Sequence, residues 1–187
     1  MLPIKRPKCY LYFSIFRLSK PTFMPNINHA VLIAAPAQRV YAAITSSQGL
    51  SAWWTPNVLA EAKEGSVVRF PFGAQYYKEM RIIDLVPDKL VAWHCTAGAD
   101  EWVGTDLNFK LNQTDRGTIL RAHPELQGQL EQAAGEELTI LRFCHNNWRG
   151  ETLMYAECNY TWGSFMRSLK RYCETGNGTP WPLQHRG

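Results

Sequence analysis

The chain has 187 residues, 45% of them hydrophobic and 19% charged, and its seven Trp, eight Tyr and eight Phe describe one globular domain and exclude a disordered chain. Its 20 Lys and Arg exceed its 16 Asp and Glu, giving a formal net charge of +4, but residues 1–23 carry five of the cations and no acid. Residues 24–187 therefore have a net charge of −1, from 15 Lys and Arg against 16 Asp and Glu, and give no reason to expect a nucleic-acid partner.

Residues 1–23 are expected to be a basic extension before a domain that spans residues 24–187. The apolar run at residues 10–16 contains Ser14 and is closed by Arg17, so it is far shorter than the roughly 20 residues of a membrane span. No small-x-small cleavage site follows the run, which argues against a secretory signal. We expect either a poorly ordered extension or a start codon upstream of a native start at Met24.

The first half of the domain is expected to contain a strand, two short helices and an antiparallel meander. Residues 28–34 form an apolar run typical of a strand, and Pro36 then stands where the first turn of a helix tolerates proline. Ser46 and Ser47 are candidate N-caps for a second helix, which Pro56 ends. Turn sequences then separate four expected strands, at residues 67–72, 77–86, 90–96 and 102–112.

The last of these strands shows the clearest alternation. Its expected core face carries Val103, Thr105, Leu107, Phe109 and Leu111. Trp102 is out of phase with that face, and a bulge at Gly104 would turn it inward. The turn sequence Asp115-Arg116-Gly117 is expected to end the strand.

The tetrapeptide Thr-Ile-Leu-Arg then occurs twice, at residues 118–121 and 139–142, and each copy leads to a histidine, His123 or His145. Apolar residues at helical spacing lie between the copies and end at Gly135. A local duplication and a coincidence both stay open as explanations.

The final element is expected to be a long amphipathic helix that begins after Gly150 and runs to Thr175, with Gly176 after its last turn. The apolar residues that follow its 3.6-residue period are Trp162, Phe165, Met166, Leu169, Tyr172 and Cys173. A strand, two short helices, a meander and a long helix together predict an α+β domain with its helices on one sheet face.

Several short motifs, taken in order over residues 26–182, resemble the START-like superfamily called SRPBCC, in the branch named for the activator of heat-shock protein 90 ATPase homologues. The motifs are Ala35-Pro36 with Val40-Tyr41-Ala42-Ala43-Ile44, Gly49-Leu50 with Trp53-Trp54-Thr55, Phe70-Pro71-Phe72-Gly73, Asp100-Glu101-Trp102-Val103-Gly104-Thr105, His145-Asn146-Asn147-Trp148, and Ser168-Leu169-Lys170 with Glu174-Thr175-Gly176-Asn177-Gly178-Thr179-Pro180. The resemblance implies a helix-grip fold, in which a curved antiparallel sheet wraps around the C-terminal helix and leaves a hydrophobic cavity.

The chain departs from the family pattern in two places. Residues 118–138 look inserted, and Asn146-Asn147 replace the glycine that usually lies between the histidine and the tryptophan. We favour the second Thr-Ile-Leu-Arg copy as the sheet strand, because it alone continues into His145 and Trp148.

The sequence offers no familiar catalytic or cofactor motif. It lacks a G-x-S-x-G elbow, an H-E-x-x-H motif and a Walker loop. His94-Cys95 and Cys144-His145 are adjacent pairs whose side chains point to opposite faces of a strand, so neither pair can close on one metal. We therefore expect no metal and no cofactor. Five cysteines without C-x-x-C spacing suit free thiols in a cytoplasmic protein.

Aromatic residues carry the remaining functional signal, since apolar concave sites with few polar groups are the usual small-ligand pockets. The expected cavity residues are Trp54, Phe72, Trp93, Trp102, His145, Trp148, Trp162 and Phe165. For any one tryptophan taken alone, core packing is the favoured interpretation. His145 and Glu101 are the candidates for an acid or base, against the alternative of a hydrogen-bonded core histidine and a solvent-exposed carboxylate.

Three classes of function stay open. The first is a binding module for a small hydrophobic or aromatic molecule between the sheet and the C-terminal helix. The second is a cyclase-type or hydrolase-type enzyme that uses the same cavity. The third, implied by the name of the branch, is a protein that modulates the ATPase of the heat-shock protein 90 chaperone. A homodimer is expected on general grounds, and no membrane span is expected.

Overall fold

The computed structural model describes residues 24–131 and 136–186. The basic extension at residues 1–23 and the end of the helical segment before Gly135 lie outside the described residues.

The order of elements follows the predicted sequence of strand, helices, meander and long helix. The elements are β1 (Ile27–Ile33), α1 (Ala37–Thr45), α2 (Ser47–Trp53), β2 (Val67–Pro71), β3 (Tyr77–Val86), β4 (Leu90–Ala97), β5 (Asp106–Asp115), α3 (Arg116–Ala122), a 3-10 turn (Pro124–Leu126), α4 (Gln127–Glu131), β6 (Glu137–Asn146) and α5 (Leu153–Thr175).

The strands form one curved sheet in the order β1-β6-β5-β4-β3-β2, and every neighbouring pair is antiparallel. Alternate residues of each strand face a core that α1, α2 and α5 cover, as in β4, where Val91, Trp93 and Cys95 are buried. The α+β helix-grip architecture expected from the sequence is confirmed. Its consequence is that α5 lies across the concave face, where a cavity can form between helix and sheet.

The ends of α5 follow ordinary capping chemistry. The Thr152 hydroxyl accepts a hydrogen bond from the Tyr155 amide at 3.1 Å, and Gly176 ends the helix with a left-handed φ of 81°. Between these caps the helix buries the apolar stripe predicted from its period, apart from the half-buried Tyr172.

Two predictions about the region before and after β5 are wrong. The strand begins at Asp106 and not at residue 102, because residues 101–104 form a turn in which Gly104 has a φ of 89°. Trp102 lies within that turn and is nevertheless buried. The strand ends at Asp115, as expected, but a helix and not a turn follows it. The Asp115 carboxylate accepts from the Thr118 amide at 2.8 Å and caps α3.

The two Thr-Ile-Leu-Arg copies have different structures. The second lies in β6, the strand favoured from the sequence, whereas the first lies in α3. Ile119 and Leu130, from α3 and α4, pack with Leu138 in a small cluster separate from the main core. The segment therefore adds a local helical layer beside β6 and does not repeat the strand.

Candidate functional site

A cavity of about 320 Å³ lies between α5 and the sheet. Five parts of the chain line it: the end of α2, the β2–β3 hairpin, the turn before β5, the first four turns of α5 and the C-terminal segment (residues 177–186). The residues that line it are Trp54, Phe72, Tyr76, Lys78, Trp102, Met154, Glu157, Cys158, Thr161, Trp162, Phe165, Trp181 and Gln184. Apart from Lys78 and Glu157, no side chain in this lining is charged at neutral pH, so the cavity is mainly apolar.

Aromatic side chains fix the deep wall of the cavity. Trp54 stacks on Trp93 with ring centroids 5.9 Å apart and planes 5° apart, and its ring lies 5.2 Å from that of Trp162. Trp54 and Trp93 are each about 1% exposed, and Trp162 is 2% exposed. Such interlocking rings have few alternative rotamers in a close-packed interior, so this wall is rigid.

The C-terminal segment (residues 177–186) covers one side of the cavity with Trp181 and Gln184. Two backbone amides hold it: Thr179 donates to the Ser168 hydroxyl at 2.8 Å, and Trp181 donates to the Trp54 carbonyl at 2.9 Å. The segment approaches α2 so closely that a Cβ at Gly178 would overlap the Ala52 carbonyl. Glycine at position 178 is therefore required for this segment to sit where it covers the cavity.

Lys78 is the exceptional polar residue of the site. It occupies β3 at a core-facing position and is 6% exposed. Its Nζ lies 4.0 Å from the ring centroid of Phe72, 4.3 Å from that of Trp102 and 4.6 Å from that of Tyr76. Within the described residues, Nζ has no carboxylate and no hydrogen-bond acceptor.

This environment opposes the charged form of the lysine. Burial lowers the pKa of Lys78 from 10.5 to about 8, and weak attraction to the Cys158 and Cys95 side chains offsets only part of that effect. A desolvated cation over an aromatic ring gains about 2 kcal/mol, whereas removing an ion from water costs several kcal/mol. Three ring faces thus hold the ammonium in place without supplying the oxygen acceptors that its N–H groups would find in water.

The groups around Lys78 are uncharged near neutral pH. Burial raises the pKa of the Cys95 thiol to about 11 and raises that of the Cys158 thiol, which accepts from Trp102 Nε1 at 3.2 Å. Burial also raises the pKa of the Tyr76 hydroxyl. These thiols are protonated, so they neither neutralise the ammonium nor act as reactive thiolates.

Two further polar residues reach the cavity. The exposed carboxylate of Glu157 accepts from the Thr161 hydroxyl at 3.1 Å. The Gln184 side-chain oxygen is buried and has no hydrogen-bond partner among residues 24–131 and 136–186. A buried acceptor of this kind is normally paired, so a ligand that carries an O–H or N–H group would satisfy it.

Five of the eight residues expected at the cavity lie on its wall. They are Trp54, Phe72, Trp102, Trp162 and Phe165. Trp93, His145 and Trp148 do not line it, because they belong to the packed layer beneath, where Trp93 stacks behind Trp54 and Trp148 packs against Trp102. The indole N–H groups of Trp93 and Trp148 are buried and have no acceptor in the part of the chain that the structure describes.

His145 is a hydrogen-bonded core residue and is 0% exposed. Trp162 Nε1 donates to its Nδ1 at 3.1 Å, so Nε2 carries the proton and donates to the Thr105 hydroxyl at 2.8 Å. Burial, with a smaller effect of Lys78, lowers the pKa of His145 to about 3. Both ring nitrogens of this neutral imidazole are occupied, which leaves neither free for a substrate.

Glu101 lies in the turn before β5 and is hydrogen-bonded to the Thr152 hydroxyl at the start of α5. No hydrogen bond joins it to His145. The structure thus does not assemble the acid–base pair considered from the sequence.

Sequence reasoning missed Lys78, Gln184 and Trp181 as site residues. The signal for Lys78 was available, because it shares the period-two core face of β3 with Met80 and Ile82. A lysine in phase with two core residues is either paired or functional. Gln184 and Trp181 follow the last helix in a segment without periodicity, so no comparable signal marked them.

No group of three or more His, Cys, Asp or Glu side chains in residues 24–131 and 136–186 could hold a metal ion. The same part of the chain contains no helix that is both long and apolar enough to span a membrane.

Comparison with known proteins gives a consistent set of relatives. A sequence model of the family described as "Activator of Hsp90 ATPase homolog 1-like protein" matches residues 34–174. The solution structure of the Aha1 dimer from Colwellia psychrerythraea is 32% identical, with a TM-score of 0.65 over 83% of this chain and 100% of that chain. A comparison with curated proteins gives no match.

More distant structures share the fold alone. Protein BH1534 from Bacillus halodurans is 19% identical, with a TM-score of 0.58 over 80% of this chain and 97% of that chain. CalU16 from Micromonospora echinospora is 16% identical, with a TM-score of 0.57 over 87% of this chain and 81% of that chain.

Proposed function

The chain belongs to the Activator of Hsp90 ATPase homolog 1-like family, and we propose that it binds a small hydrophobic or aromatic molecule in the cavity between its sheet and α5. The observation that carries this proposal is the cavity itself, about 320 Å³ in volume and walled mainly by aromatic rings. This volume lies at the lower end of the usual range for small-ligand pockets, roughly 300–1,000 Å³. A compact ligand with one or two rings is the class that suits it.

Specific contacts hold the C-terminal segment over the cavity. Trp181 and Gln184 bring the C-terminal segment over it, and the backbone bonds from Thr179 and Trp181 hold that segment. A segment fixed in this way, beside a rigid wall that includes Trp54 and Trp162, gives a preformed site, which lowers the ordering cost of binding.

Isothermal titration calorimetry with three neutral aromatic alcohols, namely phenylethanol, phenylbutanol and naphthylmethanol, tests the proposal. At least one is expected to bind the wild type, and Thr161→Phe, which adds a ring on the cavity wall, should weaken its affinity at least tenfold. Arg167→Phe adds the same ring at an exposed position of α5 and is the matched control. Binding that is equally strong in Thr161→Phe would contradict the proposal, and so would a wild type that binds neither these alcohols nor the corresponding carboxylic acids.

An enzymatic function that uses His145 as acid or base is the alternative considered from the sequence. The geometry gives it no support, because both nitrogens of His145 are hydrogen-bonded in the core and Glu101 is bonded elsewhere. The binding module is therefore the better-supported use of the cavity.

A role in modulating the heat-shock protein 90 ATPase rests on the description of the family and on the name of the Colwellia psychrerythraea relative. It stays a separate hypothesis, since fold and family name do not fix function. A reconstituted chaperone ATPase assay measures it directly, and an unchanged rate on addition of this protein would refute it.

A homodimer is proposed from the same relative, which is described as a dimer. Light scattering coupled to size-exclusion chromatography should give twice the mass of the 21.4 kDa chain, and a monomer mass at micromolar concentration would contradict it. A cytoplasmic location is proposed from the thiols, because Cys95, Cys144, Cys158 and Cys173 are all free.

A further inference from the structure

Lys78 indicates what kind of apolar molecule the cavity takes. Resting on the proposed ligand-binding function, we propose that the ligand is a small apolar carboxylic acid whose carboxylate pairs with the Lys78 ammonium while its hydrocarbon body lies against the aromatic wall.

The first step of the argument is the unmet bonding capacity of Lys78. Its ammonium has three N–H donors, and it is buried on the cavity wall with no oxygen acceptor among the described residues. The rings of Phe72, Tyr76 and Trp102 hold Nζ by their faces, at centroid distances of 4.0–4.6 Å. They fix the position of the cation but leave its hydrogen-bond donors for a group inside the cavity.

The second step is the sign and number of charges. A cationic ligand would meet a buried like charge, and a neutral hydrocarbon would leave the ammonium without an acceptor. One carboxylate neutralises one lysine. A dianion such as a phosphate monoester would bring an excess charge into the cavity, where the one other charged wall residue among those described, Glu157, is itself an anion.

The third step concerns the other groups that face Lys78. Cys95 from β4, Cys158 from α5 and Tyr76 from the hairpin have raised pKa values, and His145 from β6 has a lowered one. These four groups are all uncharged at pH 7 to 8. Glu157 is exposed and already bonded to Thr161, and Glu101 is bonded to Thr152. Neither carboxylate has a bond to the ammonium, which therefore stays available to a ligand.

Protonation of Lys78 then controls affinity. Burial places its pKa at about 8 in the free protein, so the ammonium predominates at pH 7 and is lost as pH rises. A bound carboxylate stabilises the ammonium and raises its pKa, so binding above about pH 8 must take up a proton. A neutral ligand that touches only the aromatic wall has no such linkage.

The experiment compares three acids, phenylacetate, phenylbutyrate and naphthoate, with the three alcohols named above, by isothermal titration calorimetry. At pH 7, the acid of the best-binding pair should bind the wild type at least tenfold more tightly than it binds Lys78→Met. The matching alcohol should bind both proteins within about threefold. Lys110→Met removes an exposed strand lysine and should leave both affinities unchanged.

The pH dependence supplies a measurement that does not depend on any variant. Between pH 7 and 9.5 the affinity of the wild type for the acid should fall more than tenfold, and that for the alcohol should not. At pH 9, titrations in two buffers of different ionisation enthalpy should show uptake of close to one proton per acid bound.

Each outcome decides between the two proposals. If an alcohol binds in the cavity, but Lys78→Met does not weaken the affinity for the acid and acid binding takes up no proton, the carboxylate assignment is overturned and the proposed apolar site stands. If no alcohol and no acid binds, the site itself is refuted, and the carboxylate assignment with it.

Discussion

Replacing Lys78 by methionine should stabilise the protein at neutral pH while removing the charge from the cavity. Lys78 is 6% exposed and unpaired in the described structure. The pKa falls from 10.5 in the unfolded chain to about 8 in the folded protein. Each pKa unit corresponds to about 1.4 kcal/mol, so charging Lys78 in the folded state costs about 3 kcal/mol of stability at pH 7.

The sign follows from proton binding. Between about pH 8 and 10.5 the unfolded state binds the lysine proton and the folded state does not, so the stability of the wild type rises through that window. The stability that the wild type gains when Lys78 is neutral is fully present above the pKa of the lysine in the unfolded chain, 10.5, and is lost as pH falls towards 8. Lys78→Met has no such group, and its advantage should be largest at pH 7 and should shrink by about 2 kcal/mol at pH 10.

The assay is urea unfolding of the wild type and Lys78→Met at both pH values, followed by circular dichroism. At pH 7 the variant should be more stable than the wild type by about 1–3 kcal/mol. The gain from removing the buried charge is partly offset by the loss of the cation–π contacts with Phe72 and Trp102. Lys110→Met, at an exposed strand position, should change stability by less than about 0.5 kcal/mol at both pH values. A difference between wild type and Lys78→Met that is the same at pH 7 and pH 10 would refute the reasoning.

Two more substitutions test the frame of the site, both by urea unfolding. The pKa of His145 falls from 6.5 in the unfolded chain to about 3 in the folded protein, so the stability that the neutral imidazole contributes is present above pH 6.5 and is lost as pH falls towards 3. Between pH 7 and pH 5 the free energy of unfolding of the wild type should therefore decrease by about 2 kcal/mol more than that of His145→Gln. Equal decreases in the two proteins would contradict this prediction. Gly178→Ala should destabilise the protein by about 1–3 kcal/mol, because the new Cβ would overlap the Ala52 carbonyl. In the control Gly128→Ala the new Cβ meets no neighbour, so this variant should not be destabilised. Equal stabilities of the two alanine variants would contradict this prediction.

The parts of the fold that depend on periodicity could be predicted from the sequence. The stripe of α5 and the alternation of β5 each follow one period over many residues, and a single irregular residue does not disturb them. The predictions failed where a local contact competes with the pattern. Asp115 belongs to a sequence typical of a turn, but its side chain caps α3, and residues 101–104 turn before β5 despite their apparent continuity with it.

The site was predictable only in part for a different reason. Buried tryptophans have the same sequence signal whether they lie on a cavity wall or one layer below it, as Trp54 after α2 and Trp93 in β4 do. What separates them is the path of the C-terminal segment, which places Trp181 over the cavity. That path depends on a close approach at Gly178, and no periodic pattern encodes such an approach.

The cost of burying Lys78 supports a functional role for its position. Its core-facing neighbours on β3, Met80 and Ile82, are apolar, and a third apolar residue at this position would continue the pattern without a charge to bury. The lysine instead lowers stability at neutral pH. No carboxylate among the described residues pairs with its ammonium, so an internal ion pair does not account for the cost. A local rule broken at a net cost in stability is typical of a functional position, and the position of Lys78 on the wall of the aromatic cavity fits that interpretation.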